Sequence, residues 1–254
     1  MVVVGRMCKW LGGMDARSKL VRYAVRTGMV AVVLCLGAVV VWRLFEAGIV
    51  WFVYPSTDRF PIRGVDVSHH QGTIDWKRVA ASGLSFAYIK ASEGSDLLDP
   101  RFAQNWDEAQ GAGLRTGAYH FFTFASGGRQ QASNYLAAVS GRLGPNALPP
   151  VVDLEFGGNS RVRPDPERLR AELTDFVEAV ETALGHRVVF YMTSEFFEAY
   201  PLPYLTSRPL WIRSIYGEPD ARFEPHWKLW QYHCRARVPG IAGPVDLNVL
   251  RDGP

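Results

Sequence analysis

The chain has 254 residues, 48% of them hydrophobic and 13% aromatic, which is enough for one barrel-sized domain with a large core and excludes a disordered chain. Its formal charge of +3 is unevenly spread: residues 1–28 hold Arg6, Lys9, Arg17, Lys19, Arg22 and Arg26 against Asp15 alone, leaving about −2 for the remainder. A basic excess confined to a short segment ahead of an apolar run excludes a nucleic-acid surface on the folded part and points to membrane topology.

In chain order, residues 29–42 are uninterrupted apolar or glycine, and apolar character resumes after Arg43 and Glu46. A span needs roughly 20 residues, a length reached near residue 50 if Arg43 and Glu46, three apart on one helical face, pair or snorkel outward. The expected layout is a basic cytoplasmic tail over 1–28, a transmembrane anchor over 29–54, a linker over 55–61 and an exported domain over 62–254. Trp42, Trp51, Phe52 and Tyr54 would form the interfacial aromatic belt. A cleaved signal peptide is the alternative, opposed by the long basic region and by the lack of a small-x-small site after Trp42. Of the three cysteines, Cys8, Cys35 and Cys234, only the last lies in the exported part. Neither an intradomain disulfide nor a thiolate metal site follows from that count, and no cofactor is called for.

Beyond the linker, short β-rich runs alternate with helical stretches. The pattern predicts strands over 63–67, 85–91, 116–122, 150–155, 187–192, 210–215, 228–232 and 245–249. It predicts helices over 100–112 and 166–184, the second capped by Asp165, opened by Pro166 and ended by Gly185. Alternating strand and helix implies a mostly parallel sheet covered by helices. Because the later strands follow one another with little helix between them, an irregular, partly closed β/α barrel of TIM-barrel type is expected after one N-terminal transmembrane helix. In such folds functional side chains gather at the carboxyl ends of strands.

The polar residues fall there. Asp66 and His69 close the first predicted strand, Lys90 and Glu93 the second, Tyr119 and His120 the third, Asp153 and Glu155 the fourth and Gln231 the seventh, while Asp246 begins the last. In Pro149-Pro150-Val151-Val152-Asp153-Leu154-Glu155 the i, i+2 spacing puts two carboxylates on one strand face, about 6–7 Å apart. Like charges that close raise one pKa and create a general acid beside a carboxylate, the pairing that glycosidic cleavage requires. Two solvated acids at a strand end would give the same short motif, so the remaining segments must decide.

Those segments are GVDVSHHQG at 64–72, FAYIKASEG at 86–94, GAYHFF at 117–122, PPVVDLE at 149–155, LWQYH at 229–233 and VDLNVL at 245–250. In this order and spacing the chain resembles glycoside hydrolase family 25, the Chalaropsis-type lysozymes, from about Ile62 to Leu250. The resemblance implies N-acetylmuramidase action on the β-1,4 bond between N-acetylmuramic acid and N-acetylglucosamine in peptidoglycan. Carried over by motif, Glu155 is the general acid, Asp153 positions or polarises the substrate acetamido group, and Asp66 and Asp246 are the other acids of the cleft. Direct attack by a carboxylate and attack by the substrate's own acetamido oxygen both remain open, with a DxE pair favouring the second. Catalytic candidates are therefore Asp66, Asp153 and Glu155. Substrate-binding candidates are Asp246, Tyr119, His120, Glu93, Trp230, Gln231 and Tyr191, the aromatics offering apolar faces to sugar rings. The chain departs from the family pattern at His70, where tryptophan or tyrosine often follows the first histidine, and at Ser92, where threonine is frequent. The expected enzyme is a monomer with peptidoglycan and the membrane as its partners and no nucleic acid. Two competing readings are a metallohydrolase using Asp66, His69, His70 and His120, and a non-catalytic, membrane-tethered glycan-binding scaffold on the same barrel.

Overall fold

The structure is a computed structural model describing residues 4–144, 147–201 and 203–251, with side chains described from Arg17 onward. Arg6, Lys9, Cys8 and Asp15, on which part of the basic-tail reading rests, have side chains outside the described residues, as do residues 252–254 at the end of the expected exported domain. The chain divides into two compact units, Met1–Val50 and Trp51–Pro254.

The first unit is one helix, α1 (Val4–Glu46), whose stretch Arg17–Glu46 is long and apolar enough to cross a membrane and carries exposed side chains throughout most of its length. At 1.5 Å per residue these 30 residues reach about 45 Å, against roughly 30 Å of bilayer hydrocarbon. Glycine ends the helix: Gly48 takes φ +71°, and its N–H closes onto the Phe45 carbonyl. The basic segment expected as a tail is helical from Val4, continuous with the apolar run.

The second unit is a barrel. Its strands are β1 (Ile62–Val67), β2 (Phe86–Glu93), β3 (Leu97–Leu98), β4 (Arg115–Phe121), β5 (Val151–Leu154), β6 (Val189–Thr193), β7 (Leu210–Arg213), β8 (Trp227–Ala236) and β9 (Val245–Leu250). Around the ring they run β1-β9-β8-β7-β6-β5-β4-β2, and β2 pairs in parallel with β1 to close it, while β3 folds back on β2 as an extra antiparallel strand. All ring pairings are parallel except those of β9, which is antiparallel to both neighbours. The irregular β/α barrel anticipated from the sequence is borne out, with the ring closed through β1 and β2.

Helices α2 (Trp76–Ala81), α3 (Phe102–Gly111), α4 (Gly128–Val139), α5 (Pro166–Leu184), α6 (Ser194–Ala199) and α7 (Pro203–Thr206) belong to the same unit. The longest, α5, forms as expected: Asp165 accepts the Arg168 N–H, Pro166 opens the first turn and Gly185 ends it at φ +67°. It buries Leu169, Leu173, Phe176, Val177 and Val180, each worth roughly 1.5–3 kcal/mol of transfer free energy. The sequence reading missed α4, because its buried face includes Gln131 and Gly128 among Ala132, Tyr135 and Val139 and so shows little apolar periodicity.

Two apolar layers result. Between strands and helices lie outward-facing residues such as Val65, Ile89, Val152, Leu154, Phe190 and Trp230; inside the ring lie Phe86, Tyr88, Val151, Val189, Tyr191, Trp211, Leu229 and Leu250. Gly64 and Gly117 face inward where rings fill the space, since a Cβ there would stand 2.4 Å from Phe86 and 2.2 Å from Tyr88. Trp51, expected in an interfacial belt, is instead buried in the barrel unit: its Nε1 donates to the Tyr232 carbonyl at 2.7 Å and its ring stacks on His233 at 4.1 Å.

Candidate active site

Strand alternation decides which side chains reach the barrel mouth. On β5, Val152 and Leu154 pack outward, so Val151 and Asp153 face the interior, and Glu155 follows just past the strand. The same period turns Asp66 of β1, Tyr119 of β4, Tyr191 of β6, Trp211 and Arg213 of β7 and Gln231 of β8 toward the interior. Strand β9 runs the other way, so its first residues, not its last, share this rim; Asp246 is there because its strand is antiparallel.

A cavity of about 380 Å³ is lined by Asp66, Tyr119, Val151, Asp153, Glu155, Tyr191, Trp211, Gln231 and Asp246. It opens into a groove of about 830 Å³ that shares four acids and Tyr119 with it and adds Ser68, His70, Gln71, Lys90, Glu93 and Phe121. Asp66, Asp153, Glu155 and Asp246, spread over 180 residues of sequence, thus face one another across a single opening.

Asp66 and Asp246 lie directly opposite in the β1/β9 ladder. One oxygen of Asp66 accepts from Asn248 Nδ2 at 2.6 Å and from Gln231 Nε2 at 3.1 Å. Burial pushes the Asp66 carboxyl up, while these donors and Asp246 pull it back. Asp246 is raised well above the usual carboxylate range, first by burial and then by the charge of Asp66 and its hydrogen bond to it. Both carboxyls are thus shifted toward their protonated forms, Asp246 by the charge of Asp66 as well as by burial, and the two titrate as a coupled pair.

Asp153 is likewise lifted well above its ordinary value, by burial and then by Glu155 and Asp66, with Lys90 opposing. Its buried Oδ1 finds no hydrogen-bond partner among the described residues. Glu155 is half-buried and raised by burial, with Arg213 the largest opposing influence. Both carboxyls at this strand end are thus shifted toward their protonated forms, the direction a proton donor requires.

Around the acids, Tyr191 donates its hydroxyl to Gln231 Oε1 at 3.0 Å, and Trp211 donates Nε1 to Asn248 Oδ1 at 2.9 Å, so the Asp66 donors are themselves fixed by ring donors. Lys90 pairs with Glu93 at 2.6 Å and lies 4.9 Å over the Phe121 ring at the groove wall.

Two candidates leave the site. His120 is fully buried on the outer face of β4, between the Ser92 hydroxyl and Gln131 Oε1 and stacked on Phe176; burial holds it at about 3, a neutral core histidine. Trp230 also faces outward, donating Nε1 to the Ser214 carbonyl and packing on Phe60 and Tyr232. Each adjoins a true cleft residue, Tyr119 or Gln231, and the twofold strand period puts neighbours on opposite faces. His69 is turned onto the buried Asp99, whose Oδ2 lies 2.9 Å from both its backbone nitrogen and Nδ1. The four side chains of the metallohydrolase reading are therefore dispersed over the rim, an adjoining loop and the outer layer.

Sequence reasoning missed Arg213 and Asn248. Arg213 closes β7 in phase with Trp211, and Asn248 lies in phase with Asp246 two residues on, so strand phase was the signal available.

A family model for glycosyl hydrolases family 25 matches residues 65–241. Lysozyme M1 of Streptomyces globisporus is 33% identical over 200 residues, covering 75% of this chain and 68% of that protein. A family 25 glycosyl hydrolase from Bacillus anthracis superposes with a TM-score of 0.71 at 35% identity, over 80% of this chain and 94% of its own. The bacterial lysozyme from Streptomyces coelicolor gives 0.67 at 31% identity, over 76% and 93%. Asp246 and Asn248 lie beyond the matched stretch, yet both stand at the same opening as Asp153 or bond to its lining.

Proposed function

The chain belongs to glycosyl hydrolases family 25, and on that basis we propose how its rim of acids cuts peptidoglycan. It is a glycoside hydrolase, a lysozyme-type muramidase acting on the β-1,4 bond between N-acetylmuramic acid and N-acetylglucosamine. The observation that carries the residue roles is the meeting of Asp66, Asp153, Glu155 and Asp246 at one sugar-sized opening.

Glu155 is the general acid: half-buried, raised and open to the groove, it gives its proton to the leaving glycosidic oxygen. Asp153 offers an acceptor oxygen that no protein donor occupies, a fit for the N–H of a 2-acetamido group whose carbonyl oxygen then attacks the anomeric carbon. Asp66, whose carboxylate form is favoured by the donors Asn248 Nδ2 and Gln231 Nε2, stabilises the positive charge that develops on the sugar ring. Tyr119, Tyr191 and Trp211 shape the opening, and Lys90, Glu93, His70 and Gln71 border the groove along which the glycan extends.

The helix Arg17–Glu46 serves as a single-pass anchor, with the basic segment cytoplasmic and the barrel exported; the length of the apolar run and the charge asymmetry support this. One chain supplies every group named, so the active unit is the monomer.

Digestion of purified peptidoglycan by the detergent-solubilised chain, followed by mass analysis, tests the reaction. Reducing N-acetylmuramic acid ends are expected, whereas reducing N-acetylglucosamine ends overturn the bond assignment. Glu155→Gln should cut turnover by about 10²–10⁴-fold with glycan binding retained. A wild-type chain that binds but releases no reducing ends would instead mark the scaffold reading.

A further inference from the structure

The aromatic residues that follow α1 divide sharply. Trp51 is locked into the barrel through Tyr232 and His233, but Phe52 and Tyr54 remain 54% and 61% exposed. Tyr216, in the loop after β7, is 75% exposed, and its ring packs edge-on against Phe52 at 4.8 Å. Large aromatics held out in this way mark a contact surface, and rings with a polar tip suit the headgroup region of a bilayer.

Chain length identifies the partner. Residues 47–50 alone separate Glu46, the last residue of α1, from Trp51. Five peptide steps span at most about 18 Å, whichever way the helix points. A bilayer holding α1 therefore lies within that reach of Trp51, and Trp51 cannot drift because it is docked on the barrel.

We propose that the barrel has a lipid-contacting face of its own, formed by Phe52, Tyr54 and Tyr216, which rests at headgroup depth on the outer surface of the membrane. This rests on reading α1 as an uncleaved anchor. The catalytic unit is then a seated body, not one swinging on a loose linker. The glycan within reach is the layer beside the membrane.

The test uses the full chain with Cys8→Ser, Cys35→Ser and Cys234→Ser, reconstituted in phosphatidylcholine vesicles. A nitroxide is placed in turn through Tyr216→Cys, Tyr54→Cys, Val162→Cys and Leu36→Cys. Spin relaxation by oxygen, which concentrates in lipid, is compared with relaxation by a water-soluble nickel chelate. Position 36 should respond to oxygen, and positions 216 and 54 should show an oxygen-to-nickel ratio several-fold above position 162, which is 78% exposed on the barrel unit. Ratios at 216 and 54 equal to that at 162, with 36 still in lipid, overturn the seated barrel but leave the anchor. Protection of 216 and 54 from both reagents, as in a contact between two copies, overturns it too. A water-like position 36 removes the anchor and the proposal together.

Discussion

Asn248 is the least conspicuous residue of the site and the strongest influence opposing the effect of burial on Asp66. It is fully buried, gives Nδ2 to Asp66 at 2.6 Å and takes Nε1 of Trp211 at 2.9 Å. Asn248→Leu keeps the volume and removes both bonds. A hydrogen bond to a charged group is worth about 1.5–3 kcal/mol, and the stranded Trp211 N–H costs about 1–3 kcal/mol, so the expected loss is about 3–5 kcal/mol. That is a large part of a typical stability of about 5–15 kcal/mol. The loss also depends on pH with a definite sign. Asp66 already has a folded pKa above its unfolded value, so its ionisation erodes stability as pH rises; Asn248 limits that erosion, and its removal deepens it. Near pH 3, below the ordinary aspartate value of about 3.9, the carboxyl is protonated folded and unfolded, and only the neutral part of the loss remains. Urea unfolding at pH 7 and near pH 3 measures this. An equal loss at both pH values, or one below about 1 kcal/mol, would refute a charge-dependent hold of Asn248 on Asp66.

Three further substitutions probe other parts of the design. Asp153→Asn removes a carboxyl raised by burial and by Glu155; since such a group contributes stability at low pH that is lost as pH rises through its folded pKa, the variant should melt higher than wild type near neutrality, with the gain vanishing near pH 4, while activity collapses. Arg213→Met withdraws the charge that most opposes the rise of Glu155, so the alkaline limb of kcat/KM should move to higher pH; an unmoved limb would mean that Glu155 is not the acid observed. Gly117→Ala sets a Cβ 2.2 Å from the Tyr88 ring inside the barrel and should cost about 1–3 kcal/mol, read as a melting temperature lower by about 2–4 °C per kcal/mol.

Much of the barrel is legible locally. All eight ring strands fall where short β-rich runs stand in the sequence, and α5 begins and ends at its Asp165, Pro166 and Gly185 signals. The expectation that Asp66, Asp153, Glu155, Tyr119 and Gln231 share one rim matches the structure, where all five line a single cavity. Helix α4 escaped because packing against α5 selects Gly128, whose Cβ position lies 1.8 Å from the Glu172 carbonyl, and Gln131, which bonds the Thr123 backbone and His120. Neither choice has an apolar signature.

The sequence by itself determined the ring strands, α3 and α5, the basic and apolar N-terminal segments and the four acids of the site, because caps, hydrophobic runs and motif spacing act over a few residues. Only the tertiary structure decided that Tyr119 and Gln231 look into the cleft while His120 and Trp230 look away, that antiparallel β9 brings Asp246 and Asn248 to Asp66, and that Trp51 belongs to the barrel. The reason is physical. A barrel strand is buried on both faces, so apolar content does not distinguish interior from exterior, and strand pairing and direction are fixed by partners as far away in the chain as Ile62 and Leu250, 188 residues apart.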